Sequence, residues 1–114
     1  MLSREKRLTS SRDFDAVYRK GQRAHSRSFN LSYKRNHIGI SRIGIVVGKK
    51  FSKKAVSRNK AKRVLREAAK SIYPLMLPGF DIVIFLKTNN TEKVVLPEIT
   101  KEIKRAFERA GILK

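Results

Sequence analysis

Residues 42–72 read RIGIVVGKKFSKKAVSRNKAKRVLREAAKSI, and this stretch decides the fold. Its beginning, Arg42 to Gly48, is mostly apolar, which predicts a strand. From Arg58 to about Ile72 the apolar residues recur with helical spacing, and Ser57 is a plausible N-cap. The residues on the apolar side are Ala61, Val64, Leu65, Ala68 and Ile72. A strand followed directly by an amphipathic helix predicts a helix packed on a sheet.

Further elements are predicted before this unit. Ser10 and Asp13 have the spacing of a capping box, which predicts a helix over about 11–20 that ends at Gly21. Residues 22–26 form a candidate short strand. In Phe29 to Lys34 the apolar and polar residues alternate strictly, as in a half-buried strand.

After the unit, Phe80 to Leu86 is a nearly continuous apolar run, typical of a strand buried on both faces. Pro97 suits the first turn of a final helix, and Gly111 suits its end. The predicted order is αβββαβα. The fold class is α+β: a sandwich in which helices pack on a small mixed four-stranded sheet. A length of 114 residues predicts a single domain, 1–114.

The charge of the chain is strongly positive and concentrated in one block. Lys and Arg number 28 and Asp and Glu number 9, which gives +19 at pH 7. Residues 16–66 contain sixteen basic residues and no acidic residue. Because this block alternates with apolar residues, the charge belongs to folded elements. The expected partner is a polyanion.

Several function classes are excluded or disfavoured by composition. The chain has no cysteine, which excludes disulfides, a thiolate nucleophile and Cys-ligated metal. His25 and His37 lack neighbouring ligands, and no GxxxxGK[ST], GxGxxG or GxSxG motif is present. We expect no catalytic residue, no metal ligand and no stably bound cofactor on the protein. No apolar run reaches the about 20 residues of a membrane helix. We therefore expect a cytoplasmic protein without a membrane partner.

The second half of the basic block is suited to phosphate binding. Guanidinium groups can hold phosphate with two hydrogen bonds, and Asn59 can reach a phosphate, a 2′-OH or a base edge, or act as a second capping residue. Structured RNA is the expected ligand, because RNA is recognised largely through shape and backbone. The candidate residues are Lys49, Lys50, Lys53, Arg58, Asn59, Lys60, Lys62, Arg63 and Arg66.

A second candidate surface involves aromatic residues. Phe14 and Tyr18 lie one turn apart on the first helix, where they could simply pack in the core. Asn30, Ser32 and Lys34 lie on the polar face of the second strand. If the first helix lies beside that face, rings and hydrogen-bonding groups would form a cleft for a single strand.

The segment from Ser57 to Arg66, SRNKAKRVLR, resembles the R-N-R-x-K-R-x-x-R signature of the bacterial ribonuclease P protein subunit. Lys60 stands where that family usually has arginine, so the charge is kept and the two-pronged fork is lost. The resemblance extends over nearly the whole chain in order. Its other matches are Lys6-Arg7-Leu8, Asp13-Phe14, Val17, Gly21, Phe29, residues 44–51 (GIVVGKKF) and residues 79–83 (GFDIV).

The resemblance implies a specific function. Such proteins bind a catalytic RNA, and the ribonucleoprotein removes the 5′ leader from precursor tRNA. The RNA with its Mg²⁺ performs the hydrolysis, and no protein partner is required. Carried over, the residues that would contact the catalytic RNA and help to order metal near its active site are Arg58, Asn59, Lys62, Arg63 and Arg66. Phe14, Tyr18 and the strand face with Asn30 and Ser32 would hold the leader. The resemblance also implies a left-handed crossover between the parallel strands.

Two other readings of the composition stay open at this point. One is a ribosomal-type structural RNA-binding protein, which the composition and fold class suit well. The other is a DNA architectural protein, which the lack of a long basic arm disfavours.

Overall fold

The structure is a computed structural model that describes residues 2–88 and 94–114. Three helices and four strands follow the order αβββαβα. They are α1 (Ser11–Lys20), β1 (Gln22–His25), β2 (Phe29–Arg35), β3 (Arg42–Val47), α2 (Ala55–Ile72), β4 (Phe80–Leu86) and α3 (Leu96–Ala110). Short 3₁₀ turns occupy Arg4–Lys6 and Tyr73–Leu75. The predicted α+β fold with a mixed four-stranded sheet is confirmed.

The strands lie in the order β1-β2-β4-β3. β1 pairs with β2, and β2 with β4, in antiparallel orientation, whereas β3 and β4 are parallel neighbours that α2 connects. The interior strand β4 is the run predicted to be buried, and its residues are buried apart from the half-exposed Phe85. The N-terminal segment lies along the outer edge of β3, where the Leu8 N–H donates to the Ile43 carbonyl.

The two faces of the sheet are packed very differently. One face carries the main core, where Phe29, Leu31, Ile82 and Ile84 lie under α2 and α3. The helices contribute the fully buried residues Leu65, Ile99, Ile103 and Phe107. The other face carries only a small cluster, Leu8, Val17 and Val83, with α1 lying over it. Most of the burial that stabilises the fold is therefore on the α2–α3 side, and the α1 side is left partly open.

The predicted start of α2 is wrong, and at the start of α1 the position is right but the predicted cap hydrogen bond is not made. Ser57 is not an N-cap, because α2 begins at Ala55 with Lys54 in the cap position. The chain already turns at Ser52, whose Oγ accepts from the Lys54 N–H (3.1 Å), so the first helical hydrogen bond runs from Arg58 N–H to the Lys54 carbonyl (3.2 Å). Ser10 does precede α1, but its side chain makes no cap hydrogen bond.

The helices α1 and α3 both end at a glycine. Gly111 adopts a left-handed conformation (φ 75°) after α3, as expected at that position. Gly21 ends α1 with ordinary extended dihedrals, and a side chain there would collide with the Val17 and Tyr33 carbonyls. Pro97 lies in the first turn of α3, as predicted. Within the described residues, no helix is both long and apolar enough to cross a bilayer.

Candidate nucleic-acid interface

The predicted basic residues lie on one continuous part of the molecule, the outside of α2 and the segment 48–54 that leads into it. We call this the basic surface. Lys49, Lys50 and Lys53 are exposed on the approach segment. On α2 itself, Asn59, Lys60, Arg63 and Arg66 are exposed, while Arg58 and Lys62 are half-buried. Exposed cations at the start of a helix are available to phosphate groups.

The basic surface is not uniform around the helix. Asn59, Arg63 and Arg66 line a shallow concavity of about 230 Å³. Lys60 lies three residues before Arg63 on α2 and borders an apolar hollow lined by Val64, Val95 and other residues. The structure therefore groups Asn59, Arg63 and Arg66 around the concavity, whereas Lys60 lines the neighbouring hollow.

Arg58 differs from its neighbours because it has an internal partner. Its Nη1 donates to the Ser52 carbonyl (2.9 Å). The guanidinium thus fixes the approach segment against the first turn of α2. Part of its hydrogen-bonding capacity is used within the fold, so Arg58 positions the exposed lysines of that segment.

Glu67 is a residue of this surface that the sequence reasoning missed. Its side chain lines the same concavity as Asn59, Arg63 and Arg66. Among the described residues, it makes no ion pair with either arginine. The sequence spacing could have predicted this position, because Glu67 is four residues after Arg63 and therefore lies on the same helix face.

The predicted cleft lies on the opposite face of the sheet. α1 crosses the middle of this face, where Val83 is buried against Val17. The adjacent row, beside α1, is more open. It crosses all four strands through paired residues: His25 with Asn30, Asn30 with Phe85, and Phe85 with Val46. We call this row the cleft floor; none of its four residues is fully buried.

The aromatic wall of the cleft is formed by α1. Phe14 and Tyr18 are half-buried and, like Val46 of the cleft floor, pack against the small cluster of Leu8, Val17 and Val83. A Cβ atom on Gly44 would lie 2.5 Å from the Phe14 Cζ, so only glycine leaves room for this ring. Burial raises the pKa of the Tyr18 hydroxyl, and the nearby Asp15 raises it further. Tyr18 is therefore a neutral phenol near pH 7 that can stack or donate a hydrogen bond.

Asn30 is held in a defined orientation on the cleft floor. Its Oδ1 lies 2.8 Å from the His25 Nδ1 and also accepts from the Lys87 Nζ (3.2 Å). Because the amide oxygen can only accept, the His25 Nδ1 carries the proton in this pair. The two donors turn the Asn30 amide group so that its Nδ2 has no partner among the described residues. The amide N–H groups of Asn30 are therefore available as hydrogen-bond donors on the cleft floor.

Ser32 and Lys34 lie away from this opening. Ser32 pairs with Val83 in the row that α1 covers and is only 7% exposed. Lys34 lies in the next row, opposite Asp81, and its Nζ donates to the Arg35 carbonyl (3.0 Å). Of the five residues predicted for the cleft, the structure places Phe14, Tyr18 and Asn30 around the open part. The sequence reasoning missed His25, Val46, Phe85 and Lys87 there.

A buried ion-pair cluster anchors α1 to the sheet. Arg42 on β3 binds Asp81 on β4 with two hydrogen bonds (2.9 and 2.7 Å) and reaches Asp13 of α1 (3.2 Å). Asp13 is thus used here and not in a capping box. Burial acts to raise the pKa of Asp81, but the hydrogen bonds from Arg42 and Asn36 hold it below its usual value. The aspartates stabilise the cleft wall and are not free as acids or bases.

The described residues do not form a metal site at these surfaces. Within residues 2–88 and 94–114, no group of three or more His, Asp or Glu side chains is arranged to hold a metal ion. The chemistry that these surfaces offer is phosphate binding, ring stacking and hydrogen-bond donation.

Comparison with known proteins shows the family of this chain. The Ribonuclease P family model matches residues 2–111. The ribonuclease P protein component of a Synechococcus strain is 33% identical over 99% of this chain and 87% of its own length. That of Symbiobacterium thermophilum is 34% identical, covering 95% and 93%. The ribonuclease P protein of Staphylococcus aureus superposes with a TM-score of 0.81 at 28% identity, covering 96% and 98%. The chain therefore belongs to the family of ribonuclease P protein components, the protein subunits that assemble with an RNA subunit into an endoribonuclease of tRNA processing.

Proposed function

We propose that this chain binds the RNA subunit through the basic surface and holds the single-stranded 5′ leader of precursor tRNA in the cleft. The RNA subunit, with its bound Mg²⁺, performs the hydrolysis, and the assembly acts in the cytoplasm. No other protein is required. The protein contributes binding and orientation.

The observation that carries this proposal is the junction between the two surfaces. β3 ends at Val47, one residue after Val46 of the cleft floor, and the chain continues directly into the lysine-rich approach segment of α2. RNA bound at α2 would therefore lie at one end of the cleft. A single-stranded RNA that leaves the α2 end of the cleft can continue along the cleft floor beside Phe14 and Tyr18.

The physical role of the protein follows from its charge. RNA subunit and precursor tRNA are both polyanions and repel each other. A chain of +19 between them lowers that repulsion, and the benefit is greatest when counterions are scarce. Contacts to the leader distinguish precursor from mature tRNA, because the mature product has no leader.

The placement of catalysis on the RNA is supported by the side chains. Asp13 and Asp81 are ion-paired with Arg42, and Glu102 accepts hydrogen bonds from Ser26 and Ser28. Hydrolysis of a phosphodiester needs an activated water and stabilisation of the leaving oxygen, usually by metal ions. The described donor sets do not fit a Mg²⁺ ion, so no step is assigned to protein-bound metal.

The test is cleavage of a precursor tRNA by a bacterial ribonuclease P RNA at low Mg²⁺, with and without this protein. We expect the protein to restore removal of the leader at the mature 5′ end. A protein that binds the RNA without changing cleavage would be a general, ribosomal-type RNA binder. Competition with duplex DNA, measured in the same buffer, separates a DNA architectural protein from both.

A further inference from the structure

A second concave surface lies at the β1 edge of the sheet, between the β1–β2 turn and α3. It encloses about 610 Å³ and is lined by His25 and Arg27 on one side and by Lys101, Arg105 and Arg109 on the other. Two acidic side chains, Glu98 and Glu102, also line it. We call this surface the α3 groove. It is separate from the basic surface, because α2 packs beside β3 at the other edge of the sheet.

The walls of the α3 groove are fixed to each other by Glu102. Its Oε2 accepts from the Ser26 Oγ (2.5 Å) and the Ser28 N–H (2.8 Å), and its Oε1 accepts from the Ser28 Oγ (2.8 Å). These three hydrogen bonds tie the β1–β2 turn to α3. The groove is therefore a defined shape, and Glu102 has a structural role in forming it.

The cations of the α3 groove have no hydrogen-bond or ion-pair partner among the residues that the structure describes. Lys101, Arg105 and Arg109 follow one another at four-residue spacing, an arrangement of like charges that destabilises a helix. In the described part of the chain, neither these side chains nor Arg27 makes a hydrogen bond or ion pair; the ion pairs all involve Arg42. Three cations along about 12 Å of helix face suit a chain of phosphates.

The α3 groove continues directly from the cleft floor. His25 is the last residue of the floor at the β1 edge, and it also lines the groove. A single-stranded RNA that lies on Val46, Phe85 and Asn30 therefore passes His25 and reaches Arg27. The path from the β3 edge to the β1 edge crosses four strands, about 15 Å.

We propose that the α3 groove binds the sugar–phosphate backbone of the 5′ leader upstream of the nucleotides held in the cleft. This inference rests on the proposed leader-binding function and extends it. Arg27, Arg105 and Arg109 bind phosphates and read no sequence, while the Asn30 amide and the aromatic rings act on the nucleotides nearer the cleavage site. Leaders long enough to cross the sheet gain affinity from the groove.

The experiment uses the reconstituted RNA–protein holoenzyme and three substrates: mature tRNA, a precursor whose leader is too short to cross the sheet, and a precursor with a longer leader. The test variant is Arg105→Gln with Arg109→Gln, and Arg27→Gln tests the opposite wall without altering α3. The matched control is Lys104→Gln with Lys114→Gln, which removes the same charge at exposed positions outside the groove. Thermal unfolding checks that each variant is folded.

We expect both groove variants to weaken binding of the long-leader precursor about 5- to 10-fold more than the control does, with the short-leader precursor and mature tRNA unchanged. Equal weakening for all three substrates, or no difference from the control, would overturn the inference. The cleft is tested separately with Tyr18→Leu. If that variant selectively loses both precursors while the groove variants lose nothing, the proposed function stands and the groove assignment fails. If Tyr18→Leu does not distinguish precursor from mature tRNA, the cleft assignment itself fails.

Discussion

The basic surface and the Arg42 cluster show two opposite uses of charge in one small protein. On α2, Asn59, Arg63 and Arg66 are exposed around a concavity and have no ion pair among the described residues. Arg42 instead lies between Asp81 and Asp13, and the Arg42 and Asp81 side chains are only 20% and 5% exposed. The first arrangement leaves charge available to an external polyanion. The second uses charge internally, to hold α1 against the sheet and so define the cleft.

This difference predicts that substitutions in the two groups of residues change different properties, RNA binding in one case and folding stability in the other. Free exposed cations add little to folding stability but produce salt-dependent binding. A buried pair changes binding only through structure, and its loss is expensive because an uncompensated charge remains.

The largest effect is expected for Asp81→Asn. The variant leaves Arg42 without its main partner, so we expect a loss of about 3 kcal/mol in the free energy of unfolding. Because the pKa of Asp81 is lowered in the folded protein, its stabilising contribution is complete well above the ordinary carboxyl pKa of about 3.9 and is lost as the pH falls through the lowered value. The measurement is chemical denaturation of both proteins from neutral to acidic pH.

Two outcomes of that titration would contradict the internal role of the cluster. One is a stability difference that stays constant as the pH falls below 4 into the range where Asp81 is protonated. The other is an unchanged free energy of unfolding near pH 7. Asp15→Asn is the matched control, because Asp15 is exposed on α1 and makes no ion pair among the described residues.

The strand β4 shows why the fold was largely predictable from sequence. Phe80 to Leu86 is an apolar run that follows Pro78 and Gly79, so both its nature and its start are locally encoded. The same holds for the apolar side of α2 and for the glycine at the end of α3. These signals need no knowledge of which other residues lie nearby.

The cleft was only partly predictable, because its floor depends on pairing between distant strands. Val46 and Phe85 become neighbours of Asn30 only through the register of β3, β4 and β2. The alternation of apolar and polar residues along β2 predicts that Ser32 is exposed, yet α1 covers it. Asp13 looked like a capping residue because its partner Arg42 is 29 residues further along the chain.

The next largest effect is expected for Tyr18→Leu, which removes the ring but keeps an apolar side chain against Leu8 and Val17. If the ring stacks on a leader nucleotide, precursor binding weakens by about 1–3 kcal/mol. Binding of mature tRNA hardly changes. The measurement is equilibrium binding of both tRNAs to the reconstituted holoenzyme; an equal loss for precursor and mature tRNA would contradict the stacking role.

A smaller effect, of a different kind, is expected for Arg63→Ala. Loss of one phosphate contact weakens affinity for the RNA subunit and reduces the slope of log affinity against log salt by about 0.7–0.9. Stability stays within about 0.5 kcal/mol, since the side chain is exposed. Lys104→Gln is the control for net charge alone. A salt slope that is the same in Arg63→Ala and wild type would show that Arg63 faces water in the complex.

The smallest effect is expected for Lys60→Arg, although this change restores the residue usual in the family signature. A guanidinium can hold a phosphate with two hydrogen bonds where an ammonium cannot, so a gain in affinity requires that the RNA reach this position. Lys60 lies three residues before Arg63 on the exposed side of α2, but it borders the apolar hollow and not the concavity that Asn59, Arg63 and Arg66 share. We therefore expect the affinity of Lys60→Arg for the RNA subunit to match wild type within about twofold, with an unchanged salt slope, because an exposed charge-conserving substitution leaves the number of neutralised phosphates the same. A gain of about tenfold would show that the RNA extends around α2 to its α3 side, and that the lysine limits binding in this chain.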